Sequence, residues 1–520
     1  MNREEMLGRM AADEGPWDIV IIGGGATGLG VAVDAASRGH KTLLLEQSDF
    51  GKGTSSRSTK LAHGGVRYLR QGNVALVMEA LKERGIMRAN APHLVSDQRF
   101  IVPTYDWWET PFYGIGMKIY DAMAGRYGFG PSRILSKEET LAHIPALHAE
   151  GLNGGVQYYD GKFDDARYLV HLARTAVEQG ATLLNYARVV GLTKNGGGLV
   201  TGLVVEDAEG GGEYACMAKV VINATGPFTD GILRLDDPGA GSIIAPSQGV
   251  HLVFDASFLA SDTAIMVPHT PDDRVMFAIP WHDHVVVGTT DHEVEQASLE
   301  PEPTEEDIDF LLDTAGRYLE RKPTRADVLT AFAGIRPLVA ADDSKGTAVL
   351  SREHTIQISR SGLVTICGGK WTTYRRMAEE VVGHAETVAG LEEWPCVTKQ
   401  LKLHGYHEEA DSFGPLAVYG SDAPEIRALC EQRPELDRPL HVDLPYLKAE
   451  VVWAARYEMA RTVDDCLARR TRALFLNAGA ARDMAPEVAS LLAAERGKDE
   501  EWVQEQVRVF RGICEPYMVK

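Results

Sequence analysis

Three glycines near the start of the chain have the spacing of a phosphate-binding turn. Gly23, Gly25 and Gly28 form the pattern G-x-G-x-x-G directly after residues 19–22, which are all isoleucine or valine. Glycines in such a turn let a pyrophosphate approach the backbone at the N-terminus of the following helix. The spacing therefore indicates that this turn binds a dinucleotide.

The flanking residues predict the elements that would position this turn. Residues 18–22 predict a short buried strand, residues 26–38 a helix with Gly39 just past its end, and residues 42–45 a second strand. That strand runs into Glu46, which is placed to accept hydrogen bonds from a ribose hydroxyl. A plain strand–helix–strand unit is the alternative, but the acid and both strands favour the dinucleotide.

Two further stretches carry residues suited to a cofactor. Residues 51–69 are rich in glycine, serine and threonine, yet they also hold Arg57, Lys60, His63 and Arg67. A flexible linker would not need four bases, so we predict a loop facing phosphates and a cofactor ring. An apolar strand over 214–222 leads into Ala-Thr-Gly, which predicts a second close approach of backbone to the same ligand.

The composition limits the class of protein. The formal net charge of -21 argues against general nucleic-acid binding. Six scattered cysteines without a C-x-x-C pair favour free thiols in a reducing compartment over disulfides or a zinc site, and no metal site is predicted. We expect neither a secretory signal nor a transmembrane helix, because no apolar run is long enough, while attachment to a membrane surface stays open.

Composition also changes along the chain. Residues 100–129 are rich in aromatics and glycine, which suits the wall of a substrate domain or, less favoured, a surface that touches lipid. Beyond Pro395 strand patterns become rare and helical ones common, so we predict a separate helical domain over 395–520.

Seven motifs together resemble one family. They are IIGGGATGLG, TSSRSTKLAHGGVRYL, INATGPFTD, IPWHDHVVVGTTD, GIRPL, GGKWTTYR and ARRTRALFLNAG, spread over residues 17–480. The combination resembles the FAD-dependent glycerol-3-phosphate dehydrogenases of the D-amino-acid-oxidase-like flavoprotein group. The resemblance implies an α/β fold with three parts: a Rossmann-like FAD-binding domain (16–100, 165–245 and 330–390), a mixed-sheet substrate-binding domain (101–164 and 246–329) and the C-terminal helical cap domain.

The resemblance also implies which residues contact FAD. At the pyrophosphate and ribose these are Gly23, Gly25, Ala26, Thr27, Gly28 and Glu46. Near phosphate or ribityl groups and the adenine they are Ser56, Lys60 and Val189. Around the flavin ring they are His63, Gly64, Gly65, Ala224, Gly226, Gly334, Gly369 and Thr372, of which Thr372 is equally suited to be only a helix cap.

The substrate that the resemblance implies is sn-glycerol 3-phosphate, a small dianion with a secondary alcohol. Guanidinium groups suit its phosphate best. The substrate contacts of the family map onto Arg67, Tyr68, His251, Arg336, Arg352, Lys370 and Thr373. Any one of these bases alone could be a solvated or salt-bridged surface charge. Several family members carry lysine where this chain has Gln248, which weakens one positive contact.

Oxidation of the alcohol requires a group that accepts the hydroxyl proton. Histidine suits this role because its pKa lies near neutrality, and we predict His251, although a core histidine satisfied by hydrogen bonds is the alternative. Arg336 is predicted to stabilise the developing alkoxide as well as phosphate. His282 and His284 are interpreted as turn residues.

The implied reaction is oxidation of sn-glycerol 3-phosphate to dihydroxyacetone phosphate, with electrons passing to a membrane quinone. The open alternatives are an oxidase that uses oxygen, an amine or 2-hydroxy-acid oxidase, and a non-catalytic flavin-binding module. In that last case Arg469, Arg470 and Arg472 would dock a partner instead of pairing with Asp464 and Asp465.

The resemblance also carries expectations about where the protein works. It implies a cytoplasmic protein, peripheral on the inner leaflet of the cell membrane, and family members often form a homodimer. The sequence lacks an EF-hand loop of the D-x-[DN]-x-[DN]-G type after residue 400, so we expect the bacterial type of the enzyme and not the calcium-regulated one.

Overall fold

The computed structural model describes residues 1–12, 15–65, 73–268, 270, 275–340 and 354–520. The strands are β1 (Trp17–Ile22), β2 (Thr42–Leu45), β3 (Leu61–Ala62), β4 (Val95–Thr104), β5 (Arg133–Ser136), β6 (Gly154–Phe163), β7 (Thr182–Leu184), β8 (Ala187–Lys194), β9 (Val200–Asp207), β10 (Glu213–Asn223), β11 (Ile244–Asp255), β12 (Ala264–Val267), β13 (Met276–Trp281), β14 (His284–Gly288), β15 (His292–Glu293), β16 (Thr330–Val339), β17 (His354–Ile358), β18 (Val364–Gly368), β19 (Pro439–His441) and β20 (Leu444–Leu447).

The α-helices connect and cover these strands. They are α1 (Arg3–Ala12), α2 (Ala26–Ser37), α3 (Val74–Asn90), α4 (Glu109–Ala124), α5 (Lys137–His143), α6 (Asp165–Glu178), α7 (Thr229–Asp236), α8 (Glu305–Tyr318), α9 (Tyr374–Ala389), α10 (Ala423–Gln432), α11 (Lys448–Tyr457), α12 (Ala473–Leu476), α13 (Ala478–Arg496) and α14 (Glu500–Cys514).

The first sheet has the strand order β17-β18-β10-β1-β2-β7, with β9 on β10 and β8 on β9. Its centre is parallel, because β1 pairs in parallel with both β2 and β10. The predicted strands at 18–22 and 42–45 and the helix between them are present, and Gly39 has the positive φ of 88° expected just past the helix end. All residues of β2 are buried, as expected of a strand covered on both faces.

The second sheet has the order β15-β11-β14-β13-β12-β4-β6-β3, with β16 on β11 and β5 on β6. Strands β13 and β14 form a hairpin. Its turn is His282-Asp283, and both residues have positive φ, as a two-residue hairpin turn requires. Together the two sheets and the helices form the mixed α/β architecture that the sequence predicts.

The two sheets do not divide the chain at the same places as the predicted domains, whose boundaries stay a prediction. β3 and β16 lie in ranges assigned to the flavin-binding domain and β4 crosses the boundary at residue 100, yet all three belong to the second sheet. β16 pairs with β11 along its whole length, from Val253↔Thr330 to Ile244↔Val339. Sheet membership depends on which distant strand supplies the backbone partners, and the sequence of the strand itself does not record that choice.

The region after 395 is helical, as predicted, apart from the small β19–β20 sheet. Its arginines differ from the expectation, however. Arg469 does pair with Asp464 and Asp465, at 2.8 and 2.9 Å, but it also pairs with Asp49 at 2.5 Å. Arg470 donates to both oxygens of Asp49, at 2.7 and 2.9 Å. Asp49 lies in the turn after β2, so buried charges tie the helical region to the first sheet.

Arg472 extends this attachment. It lies 3.0 Å from Asp165 and donates to the carbonyl oxygen of Ser56 at 3.0 Å. A similar pair of 2.7 Å joins Arg167 of α6 to Glu458. The helical region is therefore held to the loop of residues 51–60 and to α6 by ion pairs that exclude water.

All six cysteines are free thiols, and five of them are buried. Within the described ranges, no helix combines the length and the apolar character needed to cross a bilayer. The same ranges contain no group of three or more histidine, cysteine or carboxylate side chains that could hold a metal ion.

We predict that Asp49→Asn strongly destabilises the protein. It would leave the buried Arg470 only the longer contact with Glu458, at 3.8 Å, among the described residues, and it would take one of three carboxylates from Arg469. Breaking a buried ion pair typically costs about 3–5 kcal/mol. The matched change Glu206→Gln removes only a surface pair with Arg188 and should cost about 0–1 kcal/mol. Thermal unfolding of wild type and both variants measures the two losses of stability. Equal melting temperatures for the two variants would contradict a structural role for the buried Asp49 ion pairs.

The same pair predicts a loss of stability in acid. Burial alone would raise the pKa of Asp49, but Arg470 and Arg469 outweigh it and hold that pKa below its ordinary value. The ion pair therefore contributes its full share of the free energy of unfolding above about pH 4, the pKa of Asp49 in the unfolded chain. That contribution is lost as the pH falls through the lower pKa of Asp49 in the folded protein. Melting curves between pH 7 and pH 3 should converge for wild type and Asp49→Asn.

Candidate active site

A cavity of about 1040 Å³ lies between the two sheets. On one side it is bounded by the residues that follow the carboxyl ends of β1, β2 and β10, and on the other by β11 and β16. Ligands of open parallel sheets bind at these carboxyl ends. Most small-molecule sites enclose about 300–1,000 Å³, so the volume suits a large ligand such as a dinucleotide.

The glycine turn leaves no room for side chains. A Cβ on Gly23, whose φ is 112°, would lie 2.6 Å from the carbonyl oxygen of Ala224, and a Cβ on Gly28 would lie 1.9 Å from that of Gly23. Gly25, Ala26 and Thr27 line the cavity at the start of α2. A helix N-terminus attracts anions, so this wall fits the pyrophosphate of FAD.

Glu46 lines the same end of the cavity. Its Oε2 accepts the Gly24 amide at 2.6 Å and its Oε1 accepts the Ser48 amide at 2.9 Å, and burial raises the pKa of the carboxyl. Each carboxylate oxygen has a second lone pair, so Glu46 can still accept hydrogen bonds from the ribose hydroxyls. Val189 also lines this end and offers an apolar contact for the adenine.

Most of the predicted cofactor residues line this one cavity. They are Gly23, Gly25, Ala26, Thr27, Glu46, His63, Gly65, Val189, Ala224, Gly226, Gly334, Gly369 and Thr372. Gly28, Ser56, Lys60 and Gly64 do not line it. Gly28 acts through close packing, and the Gly64 amide donates to the Tyr120 hydroxyl at 3.0 Å.

Ser56 and Lys60 face away from the cavity. Lys60 Nζ lies 2.7 Å from Asp165 and donates to the Ser56 carbonyl oxygen at 2.8 Å. The rings of Trp281, Phe332 and Phe475 surround it at 5.1 to 5.3 Å, and burial lowers its pKa to about 7. These two residues therefore stabilise the loop through buried contacts. The predicted contacts with phosphate or ribityl groups of the cofactor are not what their side chains make here.

Three of the predicted substrate-binding side chains line the cavity. His251 from β11, Arg336 from β16 and Lys370 after β18 all line it. Arg336 is held by Asp291, at 2.9 Å, and by the hydroxyl of Thr289, at 3.1 Å. A Cβ on Gly249 would lie 2.3 Å from Nη2 of Arg336, so glycine at 249 makes room for the guanidinium.

His251 is almost fully buried, with 3% of its surface exposed. Its Nε2 lies 2.9 Å from Oγ1 of Thr59, and its ring stacks on Phe332 with centroids 4.8 Å apart. Burial, followed by the charges of Arg336 and Lys60, holds the pKa of His251 well below its ordinary value. The imidazole is therefore neutral at physiological pH, as a proton acceptor must be.

The remaining substrate predictions divide into two groups. Thr373 is buried and does not line the cavity; its hydroxyl donates to the Lys370 carbonyl oxygen at 3.2 Å and so shapes the turn that carries Lys370. Arg67, Tyr68 and Arg352 lie outside the described residues. Gln248 donates to the Glu302 carbonyl oxygen at 2.8 Å and does not line the cavity.

Sequence reasoning missed Thr59, Thr289 and Asp291. All three line the cavity, and they orient His251 and Arg336. A signal existed, because Thr59 belongs to the TSSRSTK motif and the other two end the IPWHDHVVVGTTD motif. The pairing of β14 and β16 with β11 decides which hydroxyls and carboxylates of these motifs reach the site.

Family models match nearly the whole chain. Residues 18–375 match the FAD dependent oxidoreductase family, and residues 364–503 match the C-terminal domain of alpha-glycerophosphate oxidase. The first match spans the glycine turn, the His251 strand and the Lys370 turn.

Individual proteins give the same result. The mitochondrial glycerol-3-phosphate dehydrogenase of Homo sapiens is 41% identical over 529 residues, covering 95% of this chain and 72% of that protein. The one from Arabidopsis thaliana is 39% identical over 545 residues, covering 96% and 86%. The glycerol-3-phosphate dehydrogenase of Bacillus halodurans, solved with FAD, is 31% identical, with a TM-score of 0.81 over 99% of this chain and 97% of that one. The chain therefore belongs to the FAD-dependent glycerol-3-phosphate dehydrogenase family, and FAD is its cofactor.

Proposed function

We propose that the protein oxidises sn-glycerol 3-phosphate to dihydroxyacetone phosphate and passes the electrons to a membrane quinone. The observation that carries this proposal is that the FAD cavity is lined by Arg336, by the neighbouring neutral His251 and by Lys370. In a chain with a formal net charge of -21, two such bases on the cavity wall favour an anionic substrate. The names of the relatives support glycerol 3-phosphate as that anion.

Arg336 and Lys370 would bind the phosphate. The guanidinium of Arg336 is held in place by Asp291 and Thr289, so little side-chain entropy is lost when a substrate binds. A guanidinium fork matches phosphate geometry, and the lysine adds a point charge. Arg67, Tyr68 and Arg352 stay predicted contributors to the same pocket, whereas Thr373 would act through the turn that carries Lys370.

The chemistry would be divided among the cofactor and two side chains. The flavin, when bound, supplies the acceptor for the hydride that leaves the carbinol carbon. His251 accepts the hydroxyl proton, and its depressed pKa keeps it free of a proton before the reaction. Arg336, beside it, stabilises negative charge that develops on the alcohol oxygen.

We predict that glycerol 3-phosphate bleaches the yellow flavin absorbance when oxygen is absent. Arg336→Ala should retain the flavin but lose about 100-fold in kcat/KM, because a charge-assisted contact of roughly 3 kcal/mol is removed. Arg508→Ala, which changes an exposed arginine that does not line the cavity, is the matched control and should behave as wild type. Anaerobic stopped-flow absorbance measures all three; a wild type that stays yellow would identify a non-catalytic flavin-binding module.

We also predict the pH dependence of this step. Since the pKa of His251 lies well below its ordinary value of about 6.5, the limiting bleaching rate should stay constant from pH 8 to 6.5 and decline only in more acidic solution. His251→Asn should lower the rate by about 10²–10⁴-fold, whereas the exposed His384→Asn should not change it. An acid limb at or above pH 6.5 would exclude His251 as the proton acceptor.

The link to a membrane quinone is supported by helix α4. Trp107 beside its N-terminus is 84% exposed and Ile115 is 64% exposed, while Phe112, Ile115 and Ile119 also line the cavity. Large exposed apolar surfaces mark interaction sites, and tryptophan favours the membrane interface. An apolar path thus leads from the surface to the cofactor cavity, as an acceptor dissolved in lipid requires. Peripheral binding at the inner leaflet, a cytoplasmic location and a homodimer remain expectations from the family.

Vesicle binding tests this surface. Trp107→Glu should weaken binding to anionic lipid vesicles about tenfold, which corresponds to ~1.4 kcal/mol of lost apolar burial. Quinone reduction in vesicles should fall, while bleaching by glycerol 3-phosphate in solution should not change. Val442→Glu, at a valine 90% exposed in the helical region, is the control. Equal vesicle binding by both variants would contradict a role for α4.

Oxygen is the second candidate acceptor, favoured by the match to the C-terminal domain of alpha-glycerophosphate oxidase. An aerobic assay that yields one peroxide for each glycerol 3-phosphate consumed would assign the protein as an oxidase. Turnover that needs an added quinone and releases no peroxide would assign it as a dehydrogenase.

A further inference from the structure

Thr59 lines the cavity beside His251, which also lines it. It is the residue before Lys60 in the loop that crosses from the first sheet to the second, and it lines the cavity. Its Oγ1 is 2.9 Å from Nε2 of His251. A hydroxyl can donate and accept at the same time, so Thr59 can donate to the imidazole while it accepts from a ligand in the cavity.

Among the described residues, Thr59 is the one hydrogen-bond partner found for the imidazole of His251. Its Nδ1 is buried, and no hydrogen-bond partner for it is found within those ranges. One face of the ring stacks on Phe332, and a Cβ on Gly288 would lie only 2.2 Å from its Cδ2. The ring is therefore clamped, and the contact to Thr59 is the hydrogen bond that Nε2 makes.

The position of Thr59 is tightly determined. The next residue, Lys60, has a φ of 64°, a left-handed conformation that a lysine rarely adopts. Asp165 holds it there through the Nζ of Lys60, at 2.7 Å, and through the Ser58 hydroxyl, at 2.7 Å. Arg472 donates to Ser56 in the same loop and to Asp165. Residues from three parts of the chain thus fix the hydroxyl of Thr59 beside the histidine.

We propose that Thr59 is a proton relay between the substrate hydroxyl and His251. This inference rests on the proposed function. As the hydride leaves the carbinol carbon with its bonding pair for the flavin and the C=O bond forms, the O–H bond of the substrate breaks and its proton joins Oγ1 of Thr59. The proton already on Oγ1 passes to Nε2 of His251, so Thr59 is unchanged and the imidazole carries the proton.

Three variants test the relay in the holoenzyme. Thr59→Ser keeps the hydroxyl, and Thr59→Val replaces it with a methyl group of similar volume. Thr365→Val is the matched control, because that buried hydroxyl has no hydrogen-bond partner among the described residues and does not line the cavity. The measurements are flavin content, binding of dihydroxyacetone phosphate followed by the flavin spectrum, and the limiting rate of anaerobic bleaching.

We expect Thr59→Val to retain flavin and to bind dihydroxyacetone phosphate normally, but to bleach about 100-fold more slowly, as for loss of a proton-transfer group. Thr59→Ser should bleach at close to the wild-type rate, a rescue that a purely structural role would not predict. If Thr59→Val loses its flavin, Thr59→Ala, which also lacks the hydroxyl, is measured in its place.

Two results would overturn the relay, and they are distinguishable. A wild type that is not bleached at all would remove the proposed function and the relay with it. A bleached wild type with an unchanged rate in the variant lacking the hydroxyl would remove the relay alone and leave His251 as the direct acceptor.

Discussion

The site depends on a close approach of backbone to backbone at the carboxyl ends of three parallel strands. Gly23 packs against Ala224, and Gly28 packs against Gly23, at distances that exclude any side chain. These contacts bring the ends of β1 and β10 together and begin α2 at the edge of the cavity. Every other feature of the site, including the carboxylate of Glu46, is positioned relative to this side-chain-free wall.

Buried charge then connects the wall to the rest of the chain. Asp49 follows β2 and is held by Arg469 and Arg470, while Asp165 is shared by Lys60 and Arg472. Such pairs contribute little net stability compared with apolar packing, but breaking one is costly. They favour one arrangement of the helical region against the cofactor loop, and that arrangement fixes the loop carrying Thr59.

The proposed reaction makes two opposite electrostatic demands on the site. A dianionic substrate needs fixed positive charge, whereas a proton acceptor must stay neutral. Arg336 would serve both demands, because it lines the cavity and its charge also lowers the pKa of the neighbouring His251. Asp291 and Thr289 hold the guanidinium, so this balance is set before a substrate binds.

The sequence by itself determined the dinucleotide turn, the strands and helix around it, the mixed α/β class and most residues of the cavity. Local signals sufficed for the turn and its flanking elements, since glycine spacing and runs of apolar residues record backbone needs directly. The fold class and the cavity residues were implied by the resemblance of longer motifs to a known family. Only the tertiary structure decided that β16 joins the second sheet, that Lys60 turns inward to Asp165, and that Thr59 meets His251. Those outcomes depend on pairing between residues far apart in the chain, from Val253 with Thr330 to Thr59 with His251, and neither partner's local sequence specifies the other.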